Sequence, residues 1–315
     1  MHQTRAVACL TFALLSSVAM AQEWSFTDGA GNTITLDSPP ERIVAFSSSA
    51  AGLLQFGIRP IGIFADGTGS DRSFAGLDIE GIEIIETAWN ELQPEALLAL
   101  DPDIIVTEYF SHSQTYSGGE QMRPDGEFGR VAPIVGVEQG DSALRVIEDY
   151  GVLAEALGAD LDAPDIAAQR ASFDRARAAF IAAVEAKPGL TLMAINPGPE
   201  VIRVAVPAGA GELQDFIAWG LDVVVPDAEQ GDYWGLVSWE NAGIHPADVL
   251  IVDDRYDYEG GLRILEDQPL ARLIPAVAAG QIGEWPAWWI RTYASYAAEL
   301  GKLTALIERS DVVSP

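Results

Sequence analysis

Two segments of the chain carry aromatic and acidic residues at the same spacing, and both residue types are suited to gripping a partner. Trp89 precedes Glu95 by six positions, and Trp234 precedes Glu240 by six positions. In each segment an aspartate follows the glutamate by eight positions and leads into an aliphatic run. A single glutamate at the start of a helix is explained by the helix dipole alone. Its recurrence at matching places predicts two similar lobes that contact one partner.

Aromatic side chains gather in the turns that follow predicted strands, which is where a doubly wound fold binds its ligand. Rings with a few polar groups among them suit a large ligand that has planar or chelate surfaces. Packing in the core or at the rim is the alternative for each ring. The candidate contacts of aromatic or imidazole type are Trp89, Tyr109, His112, Trp234, Tyr256 and Trp285.

Residues for catalysis or for holding a bare metal ion are scarce. The chain has three histidines, of which His2 lies in the leader described below, and its one cysteine is Cys9. A site with three histidine ligands, typical of zinc, is therefore excluded. Ser47–Ser49 is no nucleophile elbow, and two histidines leave little material for a catalytic triad. We expect that the protein is not an enzyme. The alternative is a secreted hydrolase, for which Asp253 and Asp254 are the best candidate catalytic residues.

The charge of the chain limits its partners. Asp and Glu total 47 against 18 Lys and Arg, so the formal net charge is −29. Such a surface repels phosphate backbones, which excludes nucleic acid, and it disfavours contact with anionic membranes. A hydrophobic content of 49% excludes general disorder, and 315 residues exceed one ordinary α/β core. The composition predicts a folded protein of two domains.

The first 21 residues have the pattern of a secretory signal peptide. Arg5 precedes the apolar run 6–15, and Ala19-Met20-Ala21 is a small-x-small cleavage signature. Cleavage before Gln22 removes Cys9, which lies too early to be a lipoprotein cysteine. No later apolar run approaches the length of about 20 residues that spans a bilayer. We expect a periplasmic protein with no lipid anchor and no direct membrane insertion.

Strand and helix signals alternate on both sides of one long helical segment. Residues 162–187 form an alanine-rich run with one apolar face, which predicts a single helix of about 26 residues. The alternation elsewhere predicts parallel, doubly wound sheets. The predicted division is a leader at 1–21, an N-terminal lobe at 22–160, the bridging helix at 161–188 and a C-terminal lobe at 189–315.

Three segments of the chain resemble the periplasmic binding proteins that carry iron–siderophore complexes, haem or cobalamin to bacterial ABC importers. They are Arg42-Ile-Val-Ala-Phe-Ser, Gly57-Ile-Arg-Pro-Ile-Gly and Glu95-Ala-Leu-Leu-Ala-Leu-Asp-Pro-Asp-Ile-Ile-Val. The resemblance runs from about residue 41 to the C-terminus. It implies an α/β protein with two Rossmann-like doubly wound lobes bridged by a single long α-helix, and a ligand in the cleft between the lobes.

The resemblance also implies roles for the repeated residues. Glu95 and Glu240 match surface glutamates, one in each lobe, that dock onto arginines of the permease. Trp89 and Trp234 match positions that line the cleft in the cobalamin-binding members. The implied partners are an ABC permease with its ATPase and a small-molecule metal chelate, which a monomer binds. No cofactor is expected beyond the ligand itself, a ferric siderophore, with haem or cobalamin as the alternatives.

Arginine side chains decide the charge of the ligand, because a guanidinium is the expected bidentate partner of an anionic ferric chelate. The candidates are Arg123, Arg203, Arg255 and Arg291, of which Arg123, Arg255 and Arg291 are the predicted contacts. In so acidic a protein a surface salt bridge is the alternative for each of them. Arg123 lies in a long polar connection, residues 110–130, which we expect at the edge of the cleft. Because the arginines are not crowded, a neutral or cationic hydroxamate-type chelate is favoured over an anionic one.

Overall fold

The computed structural model describes residues 23–65, 74, 76–86, 94–229, 231–255, 257–287 and 290–314. The predicted leader at 1–21 lies outside these ranges. Within them, no helix is both long and apolar enough to cross a membrane.

The first lobe is built on a six-stranded sheet that follows an N-terminal hairpin. The hairpin strands are β1 (Trp24–Thr27) and β2 (Thr33–Leu36). The sheet strands are β3 (Ile43–Phe46), β4 (Gly62–Ala65), β5 (Glu83–Glu86), β6 (Ile104–Phe110), β7 (Thr115–Tyr116) and β8 (Ile134–Gln139). The helices of this lobe are α1 (Ser47–Leu54), α2 (Pro94–Leu100) and α3 (Ala143–Ala156).

The order of the long strands creates a point at which the chain reverses direction across the sheet. β3, β4 and β5 run outward to one side, and β6 and β8 to the other, all in parallel. Only the short β7 is antiparallel, on the last two residues of β6. In such a sheet the crevice beyond the carboxyl ends of the two central strands is the ligand side. Here those strands are β3 and β6, so α1 and the segment after Phe110 border that crevice.

One helix, α4 (Pro164–Glu185), connects the two halves of the chain. Its 22 residues correspond to about 33 Å of rise, a little shorter than the predicted helix because Pro164 begins it and Lys187-Pro188-Gly189 follows it. Phe173 and Phe180 of α4 are buried. Their rings lie 5.1 Å from the ring of Tyr296 and 5.4 Å from that of Phe216. The helix is therefore anchored in the core of the second half.

The second lobe has a six-stranded sheet of mixed direction. Its strands are β9 (Thr191–Pro197), β10 (Val201–Ala205), β11 (Asp222–Val223), β12 (Trp234–Ser238), β13 (Val249–Asp253) and β14 (Ile282–Trp285). Its helices are α5 (Gly211–Ala218), α6 (Tyr258–Asp267), α7 (Pro275–Ala279) and α8 (Tyr293–Arg309). β9, β11, β13 and β14 are parallel to one another. β10 runs antiparallel to β9, and β12 runs antiparallel to β10, so of these six strands only β10 is reversed.

The antiparallel pair corrects the prediction of a purely parallel sheet in this lobe. β9 and β10 are joined by three residues, and the Gly198 N–H donates to the carbonyl of Val201 at 2.8 Å. Three residues cannot hold the helical crossover that a parallel strand needs, so the chain turns back on itself. The second copy of the repeat differs accordingly. Trp234 begins a strand instead of lying in a loop, and Glu240 lies in a short 3-10 turn, Trp239–Asn241.

The chain is thus an α/β protein of two Rossmann-like lobes bridged by one long helix. A single cluster of buried apolar side chains runs from the first sheet past α4 into the second. Further clusters fill the other face of each sheet. The two lobes therefore share one continuous core.

Candidate functional site

A cavity of about 210 Å³ lies between the two lobes. From the first lobe it is lined by Phe110 at the end of β6, by His112 after it, and by residues at the start of α3. From the second lobe it is lined by Glu212 at the start of α5, by Tyr233 and by Arg291. We call this space the inter-lobe cavity. Its position beyond the carboxyl end of β6 is the one that the strand order favours.

A buried ion pair joins the lobes at this cavity. The Arg291 Nη2 lies 2.9 Å from Oε1 of Glu108 on β6, and Nε lies 3.2 Å from the same oxygen. The Ser117 hydroxyl donates to the other carboxylate oxygen at 2.7 Å. Arg291 is held by its neighbours, because a capping box of Thr292 and Ser295 closes the first turn of α8 directly after it. Burial is the largest single influence on the pKa of Arg291 and lowers it, but the charge of Glu108, the hydrogen bonds to Glu108 and the other acidic groups nearby together raise that pKa.

Asp215 of α5 makes a second polar junction between the lobes. Its carboxylate accepts hydrogen bonds from the Ser142 hydroxyl at 2.5 Å and from the Leu144 N–H at 3.0 Å, both at the start of α3. The Tyr296 hydroxyl donates to it at 2.8 Å. Burial raises the pKa of Asp215, and these hydrogen bonds oppose that rise. The junction fixes the start of α5 against the start of α3, beside the inter-lobe cavity.

A cage of three aromatic rings surrounds Arg255, which follows β13. The guanidinium carbon lies 5.2 Å from the ring centre of Tyr233, 5.3 Å from Trp234 and 5.6 Å from Trp285. Asp253 at the end of β13 accepts from the Arg255 Nε at 2.9 Å and from Nη2 at 2.6 Å. The structure therefore brings together three of the predicted ligand residues, Trp234, Arg255 and Trp285. Arg255 and Trp285 meet because the parallel strands β13 and β14 end at the same edge, whereas Trp234 comes from the start of β12.

Glu212 was not among the predicted contacts, although it lines the inter-lobe cavity. Its Oε1 accepts a hydrogen bond from the Trp285 Nε1–H at 2.7 Å. Burial raises the pKa of Glu212 to about 7, against the opposing effects of hydrogen bonds and of the positive charges of Arg291 and Arg255. The signal in the sequence is the position of Glu212 directly after a strand-to-helix turn, residues 207–211.

Tyr109 and Arg123 lie in a different groove of about 420 Å³, which Tyr116 and Asn32 also line. The rings of Tyr109 and Tyr116 are 5.0 Å apart. Arg123 forms an exposed ion pair with Asp125 at 3.2 Å. Successive side chains of a strand point to opposite faces, so Phe110 lines the inter-lobe cavity and Tyr109 does not. The predicted ligand residues near β6 are thus divided: His112 lies at the inter-lobe cavity, whereas Tyr109 and Arg123 lie at the other groove.

The two remaining predicted contacts, Trp89 and Tyr256, lie outside the described residues. In the part of the chain that the structure does describe, no three His, Cys, Asp or Glu side chains converge to form a metal site.

The repeated glutamates are both on the surface. Glu95 is exposed in the first turn of α2, and Glu240 is exposed in the turn Trp239–Asn241. The neighbouring Trp239 is buried, and its Nε1–H donates to the Gly198 carbonyl at 3.1 Å. Each carboxylate is therefore presented to solvent by a fixed local structure, one on each lobe.

The model of the family described as periplasmic binding proteins matches residues 74–287, more than half of the chain. The chain belongs to the periplasmic binding protein family. Members of this family bind substrates outside the cytoplasm for ABC transporters and are not a family of enzymes. No curated protein matches this periplasmic binding protein in sequence.

Solved structures share the whole fold of this periplasmic binding protein. DesE, a ferric-siderophore receptor protein from Streptomyces coelicolor, is 28% identical, with a TM-score of 0.80 over 92% of this chain and 100% of that chain. The petrobactin-binding protein YclQ from Bacillus subtilis is 17% identical, with a TM-score of 0.67 over 91% of this chain and 99% of that one. The siderophore periplasmic binding protein from the fuscachelin gene cluster of Thermobifida fusca is 21% identical, with a TM-score of 0.59 over 85% and 96%.

Proposed function

We propose that this periplasmic binding protein captures a ferric siderophore between its lobes and delivers it to the permease of an ABC importer. The observation that carries the proposal is the aromatic cage of Tyr233, Trp234 and Trp285 beside the inter-lobe cavity. The 28% identity to a ferric-siderophore receptor over nearly the whole chain supports the same ligand class. Rings beside a few polar groups match the apolar body and polar centre of an organic iron chelate.

Within the cage the rings differ in what they offer a ligand. Trp285 is fully buried, so its indole supports Tyr233 and Glu212 from behind. Tyr233 and Trp234 are half-buried and are the rings that we propose to contact the chelate, with His112 of the first lobe and Arg291 of the second lobe as further contacts at the inter-lobe cavity. Trp89 and Tyr256 stay predictions as further contacts.

A titration of tryptophan fluorescence tests the proposal. We expect a ferric siderophore to quench the protein saturably, and Trp234→Ala to weaken binding about tenfold, because a stacked ring is lost. Trp24→Phe is the matched control. Trp24 is buried in the N-terminal hairpin and does not line the inter-lobe cavity, so this variant should bind the siderophore with unchanged affinity. Quenching by haem or cobalamin alone would contradict the siderophore assignment, and turnover of model esters would contradict the binding role itself.

We further propose that Glu95 and Glu240 dock onto arginines of the permease. Two exposed carboxylates, one on each lobe, support a contact in which the permease binds both lobes at the same time. The double charge reversal Glu95→Arg with Glu240→Arg is expected to reduce uptake at least tenfold and to leave siderophore affinity unchanged. Uptake is measured with radiolabelled iron in cells, and affinity by fluorescence. Glu155→Arg, which reverses an exposed charge on α3, is the control. A large loss of affinity in the docking variant would contradict the assignment.

The proposal also covers the cleavage of the leader and the residue limits of the two lobes and the bridging helix. We expect the mature protein to begin at Gln22 and to be a monomer without a lipid anchor. We place the N-terminal lobe at 22–160, the bridging helix at 161–188 and the C-terminal lobe at 189–315. Mass spectrometry of protein from the periplasmic fraction gives the mature N-terminus and the mass of the bound chelate together.

A further inference from the structure

Both guanidinium groups at the cleft have a carboxylate of their own before any ligand arrives. Arg291 is paired with Glu108 at 2.9 Å, and Arg255 is paired with Asp253 at 2.6 Å. The side chains of all four residues are at most 10% exposed. An anionic ligand that displaced either carboxylate would leave it buried without a partner, which is strongly unfavourable.

The carboxylate of Glu212 is in a different situation. It is 5% exposed, it lines the inter-lobe cavity, and its side-chain hydrogen bond comes from the neutral indole of Trp285. Among the described residues no basic side chain forms an ion pair with it. The two ion pairs and Glu212 together comprise three carboxylates against two guanidinium groups. Their net charge is negative when Glu212 is ionised.

The backbone explains why Glu212 reaches this place. A Cβ atom at Gly211 would lie 2.7 Å from the Ala143 nitrogen, which is too close for any side chain. Glycine at this position lets the start of α5 pack directly against the start of α3. The next residue, Glu212, is thereby placed at the junction of the lobes and against the inter-lobe cavity.

We propose that Glu212 is an anionic subsite that receives a positively charged group of the ligand. This inference rests on the proposed function and narrows it to ferric chelates without net negative charge, such as a tris-hydroxamate bearing a protonated amine. Three monoanionic hydroxamates neutralise one ferric ion, whereas catecholate and carboxylate chelates keep a negative charge. In a site shielded from water, a carboxylate attracts an ammonium group more strongly than it would in solution.

Four ferric chelates test the subsite by fluorescence titration at pH 8. They are a linear tris-hydroxamate with a terminal amine, the same chelate N-acetylated, the same chelate N-succinylated, and a tricatecholate. We expect the wild-type protein to prefer the amine form at least tenfold over the acetylated form, and to bind the succinylated form and the tricatecholate more weakly still. In Glu212→Gln the preference for the amine should fall to within twofold. The control Glu155→Gln should keep the wild-type preference.

The pH dependence of the wild-type protein gives a second test, which does not depend on whether a variant folds. The preference for the amine over the acetylated form should increase from pH 6 to pH 8 as Glu212 ionises. The titratable and charged groups around Glu212 include His112, Tyr233, Arg255 with Asp253, Arg291 with Glu108, and Tyr296 with Asp215. Because imidazoles in general titrate in this range, the series is repeated in His112→Gln, where the increase should persist.

The outcomes separate the subsite from the proposed function. Binding of the chelates regardless of charge, by the wild type and by Glu212→Gln alike, would overturn the subsite and leave siderophore binding in place. A preference of the wild type for the tricatecholate would overturn it as well. Failure of all four chelates to bind would overturn both.

Discussion

Glu108→Gln is expected to lower the free energy of unfolding by about 3 to 5 kcal/mol, because it leaves the guanidinium of Arg291 buried without a neutralising charge. The carboxylate is fully buried, and all three nitrogens of the guanidinium are hydrogen-bonded to Glu108 or to the Ile290 carbonyl. Glutamine keeps the shape of the side chain, and its amide oxygen can accept from Arg291 while its NH2 group donates to the Ser117 hydroxyl. The loss therefore reports charge and not packing. Denaturant unfolding at pH 7, followed by tryptophan fluorescence, measures it.

Two further variants show whether the loss comes from the pair. In Glu108→Gln with Arg291→Met neither charge is left buried, so we expect the double variant to lose clearly less than the sum of the two single losses. Asp174→Asn breaks an exposed pair with Arg177 on α4, and such pairs contribute about 0.5 kcal/mol or less. If Glu108→Gln lowers the free energy of unfolding by less than about 1 kcal/mol, the conclusion that a desolvated ion pair links the lobes would be contradicted.

The alternation of strands and helices predicted most of the fold, since periodicity and turn residues are local signals. α4 was predicted within two residues at each end. The hairpin of β9 and β10 was missed, although three residues between two strands already exclude a crossover. β12 was missed because its segment was matched to a loop of the first lobe. Its Leu236 is exposed and Val237 buried, which is the alternation of a strand.

The candidate site was predictable only where strand order decides position. Arg255 follows β13, and Trp285 is the last residue of β14. These parallel strands are adjacent, so their carboxyl ends lie at the same edge of the sheet and the two side chains meet. The pairing of Glu108 with Arg291 joins residues 183 positions apart in different lobes, and no local pattern encodes it. Tyr109 was assigned to the cleft by its position after a buried run. The face on which a strand residue lies depends on register, which the sequence alone does not reveal for a strand buried on both sides.

Glu212→Gln is expected to change how the stability of the ligand-free protein depends on pH, by about 3 kcal/mol. Burial raises the pKa of Glu212 to about 7 in the folded protein, from an ordinary value of 4.5. Below pH 4.5 both states are protonated and the carboxyl group contributes no pH dependence. Between the two values the unfolded chain releases its proton while the folded protein keeps it, so stability falls as pH rises. An interval of about 2.5 pH units at about 1.4 kcal/mol each gives the expected size.

The quantity to measure is the free energy of unfolding of the wild type minus that of Glu212→Gln, from pH 4.5 to pH 8. Other groups that titrate alike in both proteins cancel in this difference, which should fall by about 3 kcal/mol and level off above pH 7. Glutamine can still accept the hydrogen bond from Trp285, so packing is matched. Glu155→Gln, at an exposed carboxylate, should give a flat difference. A flat difference for Glu212→Gln would mean that its carboxylate is hydrated and ionised throughout, and the cleft would then present a permanent negative charge instead of one that is set by pH.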